Sequence, residues 1–364
     1  MRIVCYLNKL NDGGAERAMS VLANGLSRMG HRIILVTDYS MSNEYPLDPA
    51  VDRVILDGEF HGVTVKGRIT RTIRRIWKLR NICKQNQADI MISFIEDANA
   101  RALLATRGLD TKNLVSVRID PKKMLRSRSK RMMVKFLYPY AEGIVFQTQD
   151  AKESMPENLR GRSRVIFNPV SDVFFETKGN ALQDKRVVAC GRLQGQKRFD
   201  LLINAFHQVC DDFPEYKLEI YGKGVYKSDL QAQIDQLGRQ ERIFLMGRSE
   251  DVPGTIKNAS LFVMSSDYEG LPNALMEAIT LGLPVISTDC GGGGARALIE
   301  DGVDGIIVPC DDVDALANAI RQSLADPEAA AARGKRAKEK AESFRAENIV
   351  ALWEAYIRDI VEGN

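Results

Sequence analysis

The sequence predicts an α/β protein with parallel strands, divided into two domains. Three observations predict it. Residues 261–289 read as an apolar strand (261–264), a polar turn (265–269), a helix from about Pro272 to near Gly282, and a second apolar strand (285–287). Pro284 beyond Gly282 is a helix-stop signal, and two strands joined by a helix run parallel. The chain has 364 residues, more than one hydrophobic core usually serves. Charge is also divided: residues 1–170 hold 29 Lys+Arg and 17 Asp+Glu, a net +12, whereas the remainder holds 22 and 31, a net −9. Such a basic first part points to an anionic partner: a membrane surface, a polyphosphate or a nucleic acid.

Composition excludes several classes. A hydrophobic content of 45% and a charged content of 27% are those of a soluble globular protein. No apolar run approaches the ~20 residues that span a bilayer. The opening MRIVCYLNKL reads as a strand rather than a signal peptide, so a cytoplasmic location is expected. The six cysteines form no CxxC pair, and the histidines at 31, 61 and 207 have no ligand spacing. Neither a metal site nor a disulfide framework is expected.

Taken in order, residues 2–7 form the first strand. The loop 8–14 carries Gly13 and Gly14 and leads into a helix at about 15–29. Glycines at such a turn let backbone approach a ligand, although a bland Gly-Gly turn fits equally. The segment is neither a GxGxxG fingerprint nor a P-loop. Residues 32–37 and 51–56 read as strands. The stretch 66–84 reads as a basic helix with eight Lys/Arg and no acid. Ile69, Ile73, Ile76, Trp77 and Leu79 or Arg80 fall at roughly helical spacing, giving an apolar stripe with basic flanks that include Arg71, Arg74, Arg75 and Lys78. Packing of this helix on the sheet is one reading; contact with anionic lipid headgroups or a lipid-linked diphosphate is the other.

The strand 89–94 ends at Ser93 and Phe94, at the sheet end where ligands bind in parallel α/β proteins. The strand 114–117 ends at Arg118, a residue suited to a phosphate or to an ion pair with Asp120 or Asp97. Residues 121–135 add seven basic residues, again without an acid. The aromatic interleaving of single-strand nucleic-acid binders is absent, so a bilayer surface bearing an anionic acceptor is expected instead. Strands at 145–146 and 164–167 precede Asn168-Pro169-Val170.

The second domain opens with a strand at 186–189, then CGRLQGQKRFD with Arg192 and Lys197. A helix at 199–211, a strand at 217–221 and Gly222-Lys223-Gly224 follow, then a strand within 242–248 that ends at Gly247 and Arg248. The key segment comes next. Glu269 lies in its turn and Glu277 eight residues on, in the helix. Backbone N–H groups of Leu271 and Asn273 at the helix start favour an anion, and a carboxylate there suits sugar hydroxyls. A ligand that is part phosphate and part sugar fits both. Taken alone, Glu277 reads as a solvated helix residue and Glu269 as a helix-start carboxylate. The glycine turn 290–294, a strand at 305–308, and helices at 314–324, 328–343 and about 346–361 complete the chain.

Four segments in order, GRL…K, GKG, EGLPNALME and CGGGG, resemble the E-x7-E signature and its companions in glycosyltransferase family 4, the retaining enzymes of GT-B fold. The resemblance covers nearly the whole chain. It implies two Rossmann-like, doubly wound domains facing across a cleft: residues 1–170, on the acceptor and membrane side, and residues 171–345, which bind the nucleotide sugar, with the last helix returning to the first domain. It implies transfer of a hexose or N-acetylhexosamine from a UDP-sugar to a lipid-diphosphate-linked saccharide, peripherally at the inner face of the cell membrane. Arg192 and Lys197 would hold the diphosphate, a salt bridge to Glu269 or another acid being the other reading, while Glu269 would hold the sugar hydroxyls and Glu277 the ribose. Gly270, Leu271, Pro272 and Asn273 would add contacts. Gly13, Gly14, Gly222, Gly247 and Arg248 would border the donor. Ser93, Phe94, Arg118 and the cations of the basic helix would meet the acceptor. No cofactor or metal is implied, and no nucleic-acid partner. Where many relatives carry a histidine, this chain has Arg118, which puts a histidine-based role in doubt. A nucleotide-sugar 2-epimerase of the same fold and a silent lipid-binding scaffold are the other readings.

Overall fold

The structure, a computed structural model, describes residues 1–11, 13–58, 65–179 and 184–363, apart from the side chains of 65, 66 and 68. Asp12 of the glycine loop and His61 lie outside the described residues. The chain forms two compact units: Met1–Pro169 with Ala346–Asn364, and Val170–Arg345.

The first unit is built on seven parallel strands. These are β1 (Arg2–Leu7), β2 (Arg32–Thr37), β3 (Asp52–Ile55), β4 (Ile90–Phe94), β5 (Lys112–Ser116), β6 (Gly143–Phe146) and β7 (Ser163–Val165). Their order is β3-β2-β1-β4-β5-β6-β7. β1, β2 and β4 are near-continuous apolar runs because both sheet faces are covered. Ile3, Ile90, Ile92 and Leu114 face the helix Gly14–Arg28 and the terminal helix Ala346–Glu362, which contributes Ile349, Val350, Trp353, Tyr356 and Ile357 to the core. Val4, Met91 and Val115 face the other way, under helices Val65–Gln85, Glu96–Thr106 and Arg128–Phe136.

The basic helix Val65–Gln85 departs from expectation in two ways. Leu79 and Cys83 turn inward with Ile76 and Ile82, whereas Ile69, Ile73 and Trp77 point out and are exposed. Its cations are also drawn into the unit. Arg75 is buried, with Nη1 2.9 Å from Asp38 and Nε donating to Asp57 at 2.7 Å. Arg74 pairs with Asp57 at 2.9 Å and Arg71 at 3.9 Å, while Lys78 donates to the Leu56 carbonyl. The helix has no acid of its own, so strand-end acids supply the counter-charge. Arg75 is a structural residue rather than an acceptor contact.

The second unit holds β8 (Asp184–Cys190), β9 (Lys217–Tyr221), β10 (Ile243–Gly247), β11 (Ala259–Met264), β12 (Val285–Thr288) and β13 (Ile306–Val308). All pair in parallel, in the order β10-β9-β8-β11-β12-β13. β8 and β11 are neighbours whose following connections leave in opposite directions, so a crevice opens at their carboxyl ends. The helix Asn273–Leu281 ends at Gly282, whose φ of +79° suits a residue without Cβ. Pro272 is extended and precedes this helix rather than sitting in its first turn.

Candidate active site

Three turns meet at the carboxyl ends of β8, β11 and β12, stitched by backbone. Asp267 N–H donates to the Gln196 carbonyl at 3.0 Å, Glu269 N–H to Gly291 at 3.0 Å, and Gly291 N–H to Asp267 at 3.1 Å. Gln196 Nε2 donates to the Tyr268 carbonyl at 2.7 Å, and Ser265 Oγ to that of Lys197 at 2.7 Å. The approach of the last two turns needs glycine: a Cβ on Gly294 would lie 2.5 Å from the Gly270 oxygen. One on Gly222 would lie 1.8 Å from the Gly191 oxygen, which draws the turn after β9 against the turn after β8.

Within this frame Lys197 Nζ donates to Glu269 Oε1 at 2.7 Å, with both side chains largely buried. Lys197 is therefore an ion-paired cation rather than a free one. Its position is fixed by Arg198, which adopts φ 47° and ψ 43°. That left-handed conformation disfavours a non-glycine residue by about 1 kcal/mol. It is held by Asp200, by Asp267 at 3.1 Å and by Asp311. Sequence reasoning passed over this Arg198 hub; the Arg-Phe-Asp run was its only local sign.

The two carboxylates of the E-x7-E segment share the neighbourhood of Lys197. Burial, then the charge of Glu277, pushes the Cys190 thiol up to about 12, opposed by Lys197. Burial, then Glu269, does the same to Cys290, again opposed by Lys197. Glu277 is buried at 8% exposure, so it is not a solvated helix residue. Leu271 and Pro272 are buried; Gly270 and Asn273 are half-buried beside them. The first amides of the helix at Asn273 lie at its positive end, beside the turn. Arg192 is exposed, and no carboxylate among the described residues pairs with it. Gly247, with φ +79°, accepts from Gly222 N–H at 2.7 Å; Arg248 is exposed at its side.

The first unit gathers a different set. Arg118 is half-buried, with Nε donating to Ser116 Oγ at 2.9 Å and Nη1 to Asn168 Oδ1. Its guanidinium lies 3.8 Å from the centre of the Phe94 ring and 5.9 Å from that of Trp353. Neither Asp120 nor Asp97 pairs with it: Asp120 caps the next helix turn and Asp97 binds Lys130. Burial without a bonded carboxylate lowers the Arg118 pKa to about 9, with Glu16 the charge that opposes the fall. Asn168 was missed as an Arg118 partner, because the two lie 50 residues apart and only the fold joins them. Ser93 and Phe94 are fully buried and serve the interior: Ser93 Oγ donates to Asn99, and Phe94 packs on Trp353. They are core residues of a central strand, not surface contacts. Gly13 precedes the helix that begins at Gly14, and a Cβ there would lie 1.9 Å from the Glu16 carboxylate. The space left by Gly13 is thus taken by Glu16.

Two family models match in tandem: Glycosyltransferase Family 4 over residues 12–173, and Glycosyl transferases group 1 over residues 171–340. The chain belongs to the family 4 glycosyltransferases. This glycosyltransferase is 26% identical over 364 residues, covering 99% of both chains, to the GalNAc-alpha-(1->4)-GalNAc-alpha-(1->3)-diNAcBac-PP-undecaprenol alpha-1,4-N-acetyl-D-galactosaminyltransferase of Campylobacter jejuni. A second protein of that organism is 26% identical, with 93% of this chain and 94% of the relative covered. It is the N-acetylgalactosamine-N,N'-diacetylbacillosaminyl-diphospho-undecaprenol 4-alpha-N-acetylgalactosaminyltransferase. Among solved structures, Anabaena HepE in complex with UDP superimposes with a TM-score of 0.81 at 18% identity, covering 99% of this chain and all of that one. The glycosyltransferase thus has the GT-B class of fold, two Rossmann-like units.

Proposed function

We propose that this glycosyltransferase moves a hexose or N-acetylhexosamine from a UDP-sugar to a lipid-diphosphate-linked saccharide, with retention at the anomeric carbon. The observation that carries the reading is the Lys197–Glu269 pair at the β8/β11 crevice. A cation and a carboxylate there match the two halves of a nucleotide sugar. Lys197 and the exposed Arg192 face the diphosphate, Glu269 accepts from sugar hydroxyls, and Glu277 accepts from the ribose. The amides at Leu271 and Asn273 add donors for phosphate oxygens. On donor arrival Lys197 binds phosphate while keeping Glu269 oriented.

In the reaction the bond from the anomeric carbon to the β-phosphate oxygen breaks, and a bond to the acceptor hydroxyl oxygen forms on the same face. The acceptor proton passes to the departing phosphate, and UDP leaves. Arg192 and Lys197 stabilise the charge that grows on that phosphate. With side-chain cations in this role, turnover proceeds without added divalent metal. Arg118, a cation on neutral partners, is the acceptor-side candidate for a diphosphate in the first unit. The Campylobacter relatives support the lipid-linked acceptor through their names, and the HepE complex supports UDP. On this reading the enzyme works at the inner membrane surface, where it meets a lipid-linked acceptor. No helix among the described residues is long and apolar enough to cross a membrane.

The test is a panel of nucleotide sugars in thermal-shift assays, followed by transfer to a polyprenyl-diphosphate disaccharide with the product anomer read by NMR. A UDP-sugar should raise Tm, and transfer should persist in EDTA and give the donor's anomeric configuration. UDP release that is indifferent to acceptor, or an inverted product, would refute the reading.

A further inference from the structure

A cavity of the second unit lies on the β9 side of the turn after β8. It holds about 350 Å³, within the roughly 300–1,000 Å³ of small-molecule sites. The turn after β8 and the start of the helix Phe199–His207 form one wall, and the helix Lys227–Gln236 with Tyr226 before it forms the other. Backbone fixes the two walls against each other: Leu193 N–H donates to the Lys223 carbonyl at 3.0 Å, and Tyr226 N–H to the Leu193 carbonyl at 3.2 Å. The turn after β8 therefore serves two sites. Lys197 meets Glu269 of the β11 turn, whereas Gln194 and Gly195 line the cavity.

Its lining mixes apolar and polar groups. Phe199 and Leu230, 4 and 5% exposed, give an apolar floor, and Tyr226 is 45% exposed. Some of the polar groups are already claimed. Arg198 is held by Asp200, Asp267 and Asp311, and Gln233 Nε2 donates to the Asp200 carbonyl at 2.9 Å and to Asn204 Oδ1 at 2.8 Å. Others are not. Among the described residues nothing bonds the Tyr226 hydroxyl or the Gln194 side-chain amide, and the Asp229 carboxylate meets only Ser228 Oγ, at 3.4 Å. Lys223 and Lys227, exposed beside Tyr226 in sequence, do not line the cavity.

These features select the occupant. An anionic ligand would meet Asp229 and find the lining's one guanidinium already bound by three carboxylates. A purely apolar ligand would strand the carboxylate and the amide. A pyranose ring satisfies both kinds of group: its C–H face packs on an aromatic ring, and its hydroxyls donate to a carboxylate and bond an amide. We infer that the cavity is a saccharide subsite, in which a neutral hexose or N-acetylhexosamine ring packs on Tyr226 and bonds Asp229 and Gln194. A sugar held here lies against the turn that carries Lys197. The inference rests on the reading above for the source of the sugar, the acceptor's own saccharide or a finished glycan, whereas the binding itself requires neither donor nor lipid.

The test uses neutral hexose and N-acetylhexosamine disaccharides as lipid-free methyl glycosides, without UDP. We expect NMR saturation transfer from the wild-type protein to the sugar protons and a shift of the Tyr226 ring resonances. Tyr226→Ala and Asp229→Ala should each weaken binding roughly tenfold, the loss of an aromatic contact or of a hydrogen bond to a charged group. Both residues are exposed, and the thermal shift given by UDP should be unchanged in both variants, which separates this site from the donor reading. Transfer to a polyprenyl-diphosphate disaccharide then tells the two sources apart. A raised KM at unchanged kcat assigns the acceptor's own sugars, and an unchanged KM with weakened binding assigns the finished glycan. The inference is overturned if no disaccharide gives saturation transfer, if both variants bind as the wild type does, or if UDP displaces the sugar, which would put it in the donor crevice.

Discussion

Lys197 Nζ and Glu269 Oε1, from the turns after β8 and β11, lie 2.7 Å apart. Removing either leaves a largely buried charge without its partner, so each of Lys197→Ala and Glu269→Ala should lose about 10²–10³-fold in kcat. Because the two act on each other, the double variant should lose less Tm than the two single losses together. Calorimetry and initial rates on the four proteins check both statements.

Arg118 offers a test that separates function from structure. Its hydrogen bonds go to neutral oxygens, and Asn168 keeps a second donor, Gln147 Nε2, at 2.6 Å. A half-buried cation without a bonded carboxylate adds little to stability, so Arg118→Met should leave Tm unchanged or higher. Turnover should nevertheless fall roughly 10–100-fold, as for loss of one charge-stabilising donor. A Tm loss that parallels the rate loss would assign Arg118 to the fold alone.

Asp57 should matter to stability far more than to chemistry. Its side chain is 4% exposed and holds Arg71, Arg74 and Arg75 together. Asp57→Asn should cost about 3 kcal/mol, read from denaturant unfolding. Burial works to raise the Asp57 pKa, but the hydrogen bonds from Arg75 and Arg74 outweigh it and hold it below its usual 3.8. A depressed carboxyl gives stability that is present above its unfolded pKa and lost as pH falls through the folded one. The wild type's advantage over Asp57→Asn should therefore shrink only below about pH 4.

His31 sets a dependence in a different range. It sits between the Met1 amine at 3.3 Å and Glu354 at 3.3 Å. Burial, then the amine, lowers its pKa below 6.5 against the pull of Glu354. The folded state then binds fewer protons than the unfolded one, so stability falls as pH drops from about 6.5 toward the folded pKa and falls no further on this account below it. The Tm difference between wild type and His31→Gln, followed across that window, should narrow as pH falls.

Much of the fold was legible because buried parallel strands are written as unbroken apolar runs. Residues 217–221 form a strand with the limits that the run suggests, and Gly282 ends its helix where the stop signal stood. β6 and β7 are short, and Gly143 and Ser163 carry no strand signal, so their starts were hidden. The orientation of the basic helix was not legible. Ile69, Ile73 and Trp77 recur with a helical period, but so do Ile76, Leu79 and Cys83, and only the sheet decides which row it covers. Asp38 and Asp57, which claim Arg75, lie 37 and 18 residues upstream of it. The turns after β8 and β11 each carried a local signal, yet their meeting depends on the order of strands in the sheet. Ser93 and Phe94 show the converse error: a strand end marks a ligand position only for side chains that clear the core.

The terminal helix that completes the first unit is also a clock. Ile349, Trp353 and Ile357 leave the ribosome only after residues 170–345, all of the second unit, have been made. At about 5–20 residues per second, making the second unit alone takes roughly 9–35 s, through all of which Leu22 and Leu26 lack this covering. The half translated first is finished last, so nascent chains pass through a stage with one completed lobe and one sticky, open lobe, and chaperones have that interval in which to act.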